Sequence, residues 1–141
     1  MVRANIGLGR SRSPLSDNIL STSMLKIASD DCAKDGVPAP PNDIYLGSGK
    51  SDVIKAMLTM LVADVDGSTP AVMVPIPQYP LFSGILSELG LYQANYYLDE
   101  SNGWALSIHE QKRNWTEASE KSHVRAMVVI NPGNPTGQVG I

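Results

Sequence analysis

Ala126-Met127-Val128-Val129-Ile130-Asn131-Pro132-Gly133-Asn134-Pro135-Thr136-Gly137 decides how this chain is read. It opens on an unbroken apolar run. Such a run, ended by turn residues, reads as a buried strand of a parallel sheet. The prolines and glycines after it forbid both helix and strand. A rigid loop therefore leaves the carboxyl end of a core strand, where open α/β sheets place their ligands. The Asn side chains and backbone amides there suit an anionic or phenolic ligand. Taken alone, the loop is equally well a rigid turn between two elements.

Upstream, the same pattern recurs. Residues 71–75 form a second apolar run, expected as a buried strand. Pro75, Pro77 and Pro80 then kink the chain around Gln78 and Tyr79. A helix is expected over 81–89, stopped by Gly90, and a partly alternating strand over 92–98. A charged helix over about 107–121 precedes the strand at 126–130. Nearer the start, residues 17–34 carry Ile19, Leu20, Met24, Ile27, Ala28 and Cys32 at helical spacing, closed by Gly36. Pro38, Pro40, Pro41 and Asn42 make a stiff connector. Ile44-Tyr45-Leu46 is a short strand candidate, Gly47-Ser48-Gly49-Lys50-Ser51 a tight turn, and 52–63 a mostly apolar helix. Strands alternating with helices predict an α/β fold with a largely parallel sheet.

Composition narrows the function. The 141 residues are enough for one ordinary domain, and 43% hydrophobic with 18% charged residues reads as globular. A net charge of −3 with no basic stripe argues against a nucleic-acid partner. No apolar stretch is long enough to span a bilayer, so no membrane partner is expected. The single Cys32 has no neighbouring His or Cys, which argues against a metal site. It fits a reducing compartment and a cytoplasmic location. Arg3, Arg10 and Arg12 precede the first acid in a Ser-rich stretch, a faint likeness to a mitochondrial transit peptide. Gly7, Gly9 and Pro14 weaken a helix there, and an irregular N-terminus is the preferred reading.

Gly47-Ser48-Gly49-Lys50-Ser51 invites comparison with a nucleotide-binding P-loop. That pattern needs a Gly where Ile44 stands, so it fails. A Gly turn between a strand and a helix still points the amides of Lys50 and Ser51 at one spot, and the helix dipole favours an anion there. The isolated segment fits a capped helix start, with Ser51 as the cap, as well as it fits a phosphate site. Pro77-Gln78-Tyr79-Pro80 holds Tyr79 in one orientation at a strand end, where its ring can stack on a planar ligand or simply pack. Together, the three loops suit a planar aromatic ligand with a phosphate tail and a ring oxygen. Pyridoxal 5'-phosphate has that shape.

With these loops in place, the chain resembles the class I/II aminotransferases of the fold-type-I pyridoxal-phosphate enzymes. Pro75-Ile76-Pro77-Gln78-Tyr79-Pro80-Leu81 is similar to the family's aromatic-bearing loop. Tyr96-Tyr97-Leu98-Asp99-Glu100 and Trp104-Ala105-Leu106 resemble its next strand and the short stretch after it, and residues 130–139 its Asn-Pro segment. The likeness spans about 38–139, with 1–37 matching poorly. It implies part of the large, mostly parallel-sheet domain of such an enzyme, running from about residue 38 and broken off after the Asn-Pro loop. It implies Lys50 and Ser51 at the phosphate, Tyr79 against the pyridine ring and Asn134 at its phenolic oxygen. Lys50 departs from the small residue usual in the family. The implied parent reaction moves an amino group between an amino acid and a 2-oxo acid, with alanine and 2-oxoglutarate the expected pair, in a homodimer.

The family's chemistry also needs a Lys that carries the cofactor, an Asp at the pyridine nitrogen and an Arg for the substrate carboxylate. In the family all three lie beyond the Asn-Pro loop. Lys26, Lys34, Lys55, Lys112 and Lys121 lie in expected helices or outside the motifs, so no catalytic residue is expected here. The expectation is a fragment of such an enzyme, inactive by itself. The alternative is a non-catalytic short relative that pairs with a full-length subunit.

Overall fold

The computed structural model describes residues 36, 38, 40–63 and 67–139. The helix expected over 17–34 lies outside them. The chain divides into two compact units, Met1–Val53 and Ile54–Ile141.

In the first unit a short 3-10 turn, Pro41–Asp43, begins on a proline whose missing N–H costs nothing at that position. Ile44 closes it by donating its N–H to the Pro41 carbonyl at 3.3 Å. The strand expected at Ile44-Tyr45-Leu46 does not form. Ile44 is extended, but no described strand pairs with this segment, and Tyr45 and Leu46 are exposed. An extended segment without a ladder partner stays solvated coil. Helix α1 (Lys50–Thr59) starts and ends earlier than the sequence suggests. The division between the units falls inside it.

The second unit is built on a parallel sheet of β1 (Pro70–Ile76), β2 (Tyr92–Tyr97) and β3 (His123–Met127), in the order β2-β1-β3. Central β1 is buried on both faces from Pro70 to Pro75, as a near-continuous apolar run requires. Its alternate side chains feed two cores. Val72 and Val74 pack with Leu58 of α1 and with Ile85 and Leu86 of α2 (Leu81–Glu88). Ala71 and Met73 face the other way, packing with Ala94 and Tyr96 of β2, Val124 of β3 and Ala118 of α3 (Ile108–Ser119). The crossover from β1 to β2 and the one from β2 back over β1 to β3 run in opposite directions across the sheet, and a constant right-handed sense puts their helices on opposite faces. Fully burying a Val, Leu or Met contributes about 1.5–3 kcal/mol, and β1 supplies Val72, Met73 and Val74 in this way.

The ends of the helices follow from local chemistry. Gly90, at φ +68°, leaves α2 in the left-handed conformation. The amides of Gly90 and Leu91 then return to the carbonyls of Ser87 and Leu86 at 3.3 and 2.9 Å, a Schellman closure. At the start of α3 the Ser107 hydroxyl accepts the Glu110 amide at 3.4 Å. Glu110 does not complete the reciprocal half of that capping box. Its carboxylate accepts the Tyr97 amide at 3.0 Å and is held below the ordinary carboxylate range, first by the hydrogen bond from Arg113.

The apolar run 126–130 is not a fully buried strand. Pairing stops at Met127, and Val129 is 60% exposed. β3 has only one neighbour among the described strands, so its outward residues alternate with inward ones instead of being enclosed. Strand β2, expected over 92–98, ends at Tyr97, although the Leu98 amide still reaches the Ile76 carbonyl at 3.0 Å.

Candidate functional site

Two loops leave the carboxyl ends of neighbouring parallel strands in the second unit. After β1 comes the cis bond Ile76-Pro77, then Gln78, Tyr79 and Pro80. Pro80 sits at the start of α2 with φ −59°. The Gln78 amide donates to the Ser83 hydroxyl at 2.7 Å, tying the loop to α2. Its buried Oε1 has no partner among the described residues. Tyr79, between two prolines, is 42% exposed.

After β3 the Val128 amide donates to the Met73 carbonyl at 2.8 Å, and the buried Tyr96 hydroxyl donates to the Val128 carbonyl at 2.6 Å. Burial pushes the Tyr96 phenol up to about 12. The loop beyond contains two cis bonds, Asn131-Pro132 and Asn134-Pro135. It closes on itself through Gly137 N–H to Gly133 O and Gly133 N–H to Gln138 O, each 2.8 Å. Gly137 takes φ +74°, which only Gly adopts freely. Asn134 is exposed at the loop's tip.

The third expected element lies in the first unit. Ser48 N–H and Oγ both donate to Asp52 Oδ2, at 3.0 and 3.3 Å. Asp52, rather than Ser51, therefore orders the turn, and Ser51 is already helical. The first α-helical bond runs from Val53 N–H to Gly49 O at 3.2 Å. The amides of Lys50 and Ser51 thus belong to the first turn, ahead of that bond. No atom stands within 4 Å of where a Gly49 side chain would point, so the turn opens outward.

Tyr79 and Asn134 thus lie just past adjacent strands at the same end of one sheet, while Lys50 and Ser51 belong to the other unit. The donors have the chemistry pyridoxal phosphate needs. Helix-start amides, a hydroxyl and an ammonium suit a phosphate, an exposed ring suits a pyridine face, and a carboxamide suits a phenolic oxygen. Asp52 is an adverse charge beside Lys50 and Ser51 in that helix start, and its Oδ2 is turned back onto Ser48. Among the described residues no cluster of His, Cys, Asp and Glu could hold a metal, and no helix is long and apolar enough to cross a membrane.

The sequence alone assigns no role to Tyr96, Trp104 or Gln138. Gln138 lies inside the Asn-Pro segment, and its place directly after a Gly is the one available signal. Tyr96 gives none, since its partner is set by strand order.

This α/β arrangement is that of the fold-type-I pyridoxal-phosphate transferases. The chain is similar in structure to an N-succinyldiaminopimelate aminotransferase from Mycobacterium tuberculosis, with TM-score 0.70 and 23% identity over 84% of this chain and 29% of that one. Residues 22–140 match the family described as aminotransferase class I and II, and the chain belongs to it. It is 52% identical over 104 residues to alanine aminotransferase 2 of Xenopus tropicalis, covering 74% of this chain and 20% of that protein. It is 50% identical over 104 residues to alanine aminotransferase 1 of Homo sapiens, covering 74% and 21%. The chain therefore spans about a fifth of the length of the curated relatives it matches.

Proposed function

We propose that this chain is the cofactor-holding part of a pyridoxal-phosphate-dependent aminotransferase. Its expected reaction converts L-alanine and 2-oxoglutarate to pyruvate and L-glutamate. The observation that carries the reading is the pair of loops bearing Tyr79 and Asn134 at the carboxyl ends of neighbouring parallel strands. The strong likeness to alanine aminotransferases favours transamination of alanine over other chemistry on the same fold.

In this reading the amides of Lys50 and Ser51 and the Ser51 hydroxyl bind the phosphate, aided by the dipole of α1. The Lys50 ammonium adds positive charge. The Tyr79 ring lies against the pyridine face and excludes water from it. The Asn134 amide donates to the ring oxygen and stabilises its ionised form. Pyridoxal phosphate, when bound, supplies an electron-accepting ring for charge developing beside the amino group. The cofactor-bearing Lys, the Asp at the ring nitrogen and the substrate-binding Arg are assigned to the remainder of such an enzyme, working as a homodimer. This stretch alone orients the cofactor without turning it over.

Equilibrium dialysis of the full 141-residue chain against pyridoxal phosphate tests the reading. Saturable, reversible binding is expected, weakened about fivefold or more by Asn134→Ala or Tyr79→Ala. Borohydride treatment is expected to fix no single Lys stoichiometrically. Binding unchanged in both variants, or trapping at one defined Lys, would overturn it.

A further inference from the structure

Trp104 has φ +64°, the sole non-Gly residue with positive φ among the described residues. For a bulky side chain that is a genuine outlier, and such strain persists only where surrounding structure holds it. Here the restraint is visible. Gly103 and Trp104 are the centre of a tight turn, both left-handed, closed by Ala105 N–H to Asn102 O at 3.2 Å. Trp104 N–H donates to Asp99 O at 2.7 Å, and Asp99 N–H to Ala105 O at 3.0 Å. The Asp99 carboxylate in turn accepts the amide and hydroxyl of Ser101, at 3.1 and 2.6 Å.

The turn presents one outward result. The Trp104 carbonyl accepts the side-chain amide of Gln138 at 3.3 Å. Gln138 holds the Asn-Pro loop at two further points. Its Oε1 accepts the Thr136 hydroxyl, and its backbone carbonyl accepts the Gly133 amide at 2.8 Å. The side chain folds back so closely that a Cβ at Gly133 would overlap its carboxamide. Asn134 lies between those two anchored residues.

We propose that Gln138 and the Trp104 carbonyl form a clamp that fixes the 131–137 loop and so aims Asn134 at its ligand. Both are positioning residues, and their role toward the ligand rests on the cofactor reading above. The Trp104 contribution is its backbone. The indole ring is not what the clamp uses.

Gln138→Glu tests this in the full chain, because Glu keeps the length and the acceptor for Thr136 but cannot donate to Trp104. Amide hydrogen exchange at Gly133 and Gly137 is expected to quicken about tenfold, with Met73 and Val74 unchanged. Unchanged exchange at both glycines, or equal acceleration in β1, would overturn the clamp.

The aiming of Asn134 is read with two probes, pyridoxal phosphate and 3-deoxypyridoxal phosphate, which lacks the ring oxygen. The unsubstituted chain should prefer the first about fivefold. Gln138→Glu and Asn134→Ala should each abolish that preference, and the double variant should add nothing. Trp104→Gly relaxes the strained turn yet keeps the carbonyl, and should retain the preference within about twofold. Equal weakening of both probes by Gln138→Glu would mean a general structural role and would overturn the aiming. No preference in the unsubstituted chain would overturn the cofactor reading and the aiming with it, while exchange at Gly133 and Gly137 would still decide the clamp.

Discussion

The Tyr96 hydroxyl donates to the Val128 carbonyl at 2.6 Å, supplying a hydrogen bond that the backbone of β1 cannot make. Val128 N–H donates to Met73 O, and a parallel ladder would next return the N–H of residue 75 to the Val128 carbonyl. Residue 75 is a proline. Its ring leaves that acceptor unmet, and Tyr96, which stands opposite Pro75 in the register, meets it from the side. The last stretch of chain before the Asn-Pro loop is thereby held by a side chain.

Tyr96→Phe should therefore cost about 1–2 kcal/mol, the penalty for a half-buried acceptor losing its partner. Urea denaturation followed by circular dichroism measures it. The loss should be accompanied by faster amide exchange at Val128. A variant as stable as the parent would mean that water replaces the phenol without cost.

The same phenol sets an alkaline limit. Its unfolded value is near 10.0 and burial raises the folded value to about 12. Below pH 10 both states are protonated and its stabilisation is complete. Between the two values the unfolded chain releases a proton that the folded chain keeps, so stability falls as pH rises. The loss from this group reaches roughly 2–3 kcal/mol. Urea midpoints of the parent and Tyr96→Phe should converge from pH 10 to 12, and parallel pH profiles would refute the assignment.

Much of the fold was legible because its causes are local. Gly90 stops α2 through its own positive φ, Ser107 caps α3 with its own hydroxyl, and the apolar run of β1 marks a strand enclosed on both faces. The turn chemistry around Tyr79 and Asn134 marked both loops for the same reason. What failed depended on distant partners. Nothing in Ile44-Tyr45-Leu46 tells that no described strand lies beside it. Nothing in 126–130 tells that β3 has a single described neighbour or that Pro75 ends their ladder. The strained backbone of Trp104 is equally silent, since Gly103 beside it is where a left-handed residue is expected.

Gly47→Ala should disturb the helix-start turn through space rather than backbone angle. A Cβ there would stand 2.6 Å from Val53 Cγ2 and 2.9 Å from Asp52 Oδ2. Relieving that overlap moves the carboxylate that both Ser48 donors share. Inorganic phosphate and pyridoxal phosphate should then bind about fivefold more weakly, with exchange in β1 unaltered. Equal affinity by equilibrium dialysis would separate this turn from phosphate binding.

On the side of β2 away from β1, where no described strand pairs, α3 supplies hydrogen-bonding groups instead. The Asn114 amide donates to Asn95 O at 2.6 Å, and Glu110 accepts from Tyr97 N–H. Capping the edge in this way protects it from pairing with other chains. Asn114 is only 5% exposed, and its Oδ1 has no partner among the described residues. Asn114→Asp keeps the shape but turns a donor into a carboxylate facing a carbonyl. Burial raises the folded pKa of that carboxyl above its unfolded value of ~3.9. The penalty is therefore smallest below pH 4, where the acid is neutral and can itself donate, grows as pH rises from the unfolded to the folded value, and levels off above it. At pH 7 it should reach about 3 kcal/mol in urea titrations. It should come with faster self-association, seen by light scattering, as the β2 edge opens. A destabilisation that is the same at pH 4 and pH 7 would show that Asn114 matters for its packing and not for the proton it donates to Asn95.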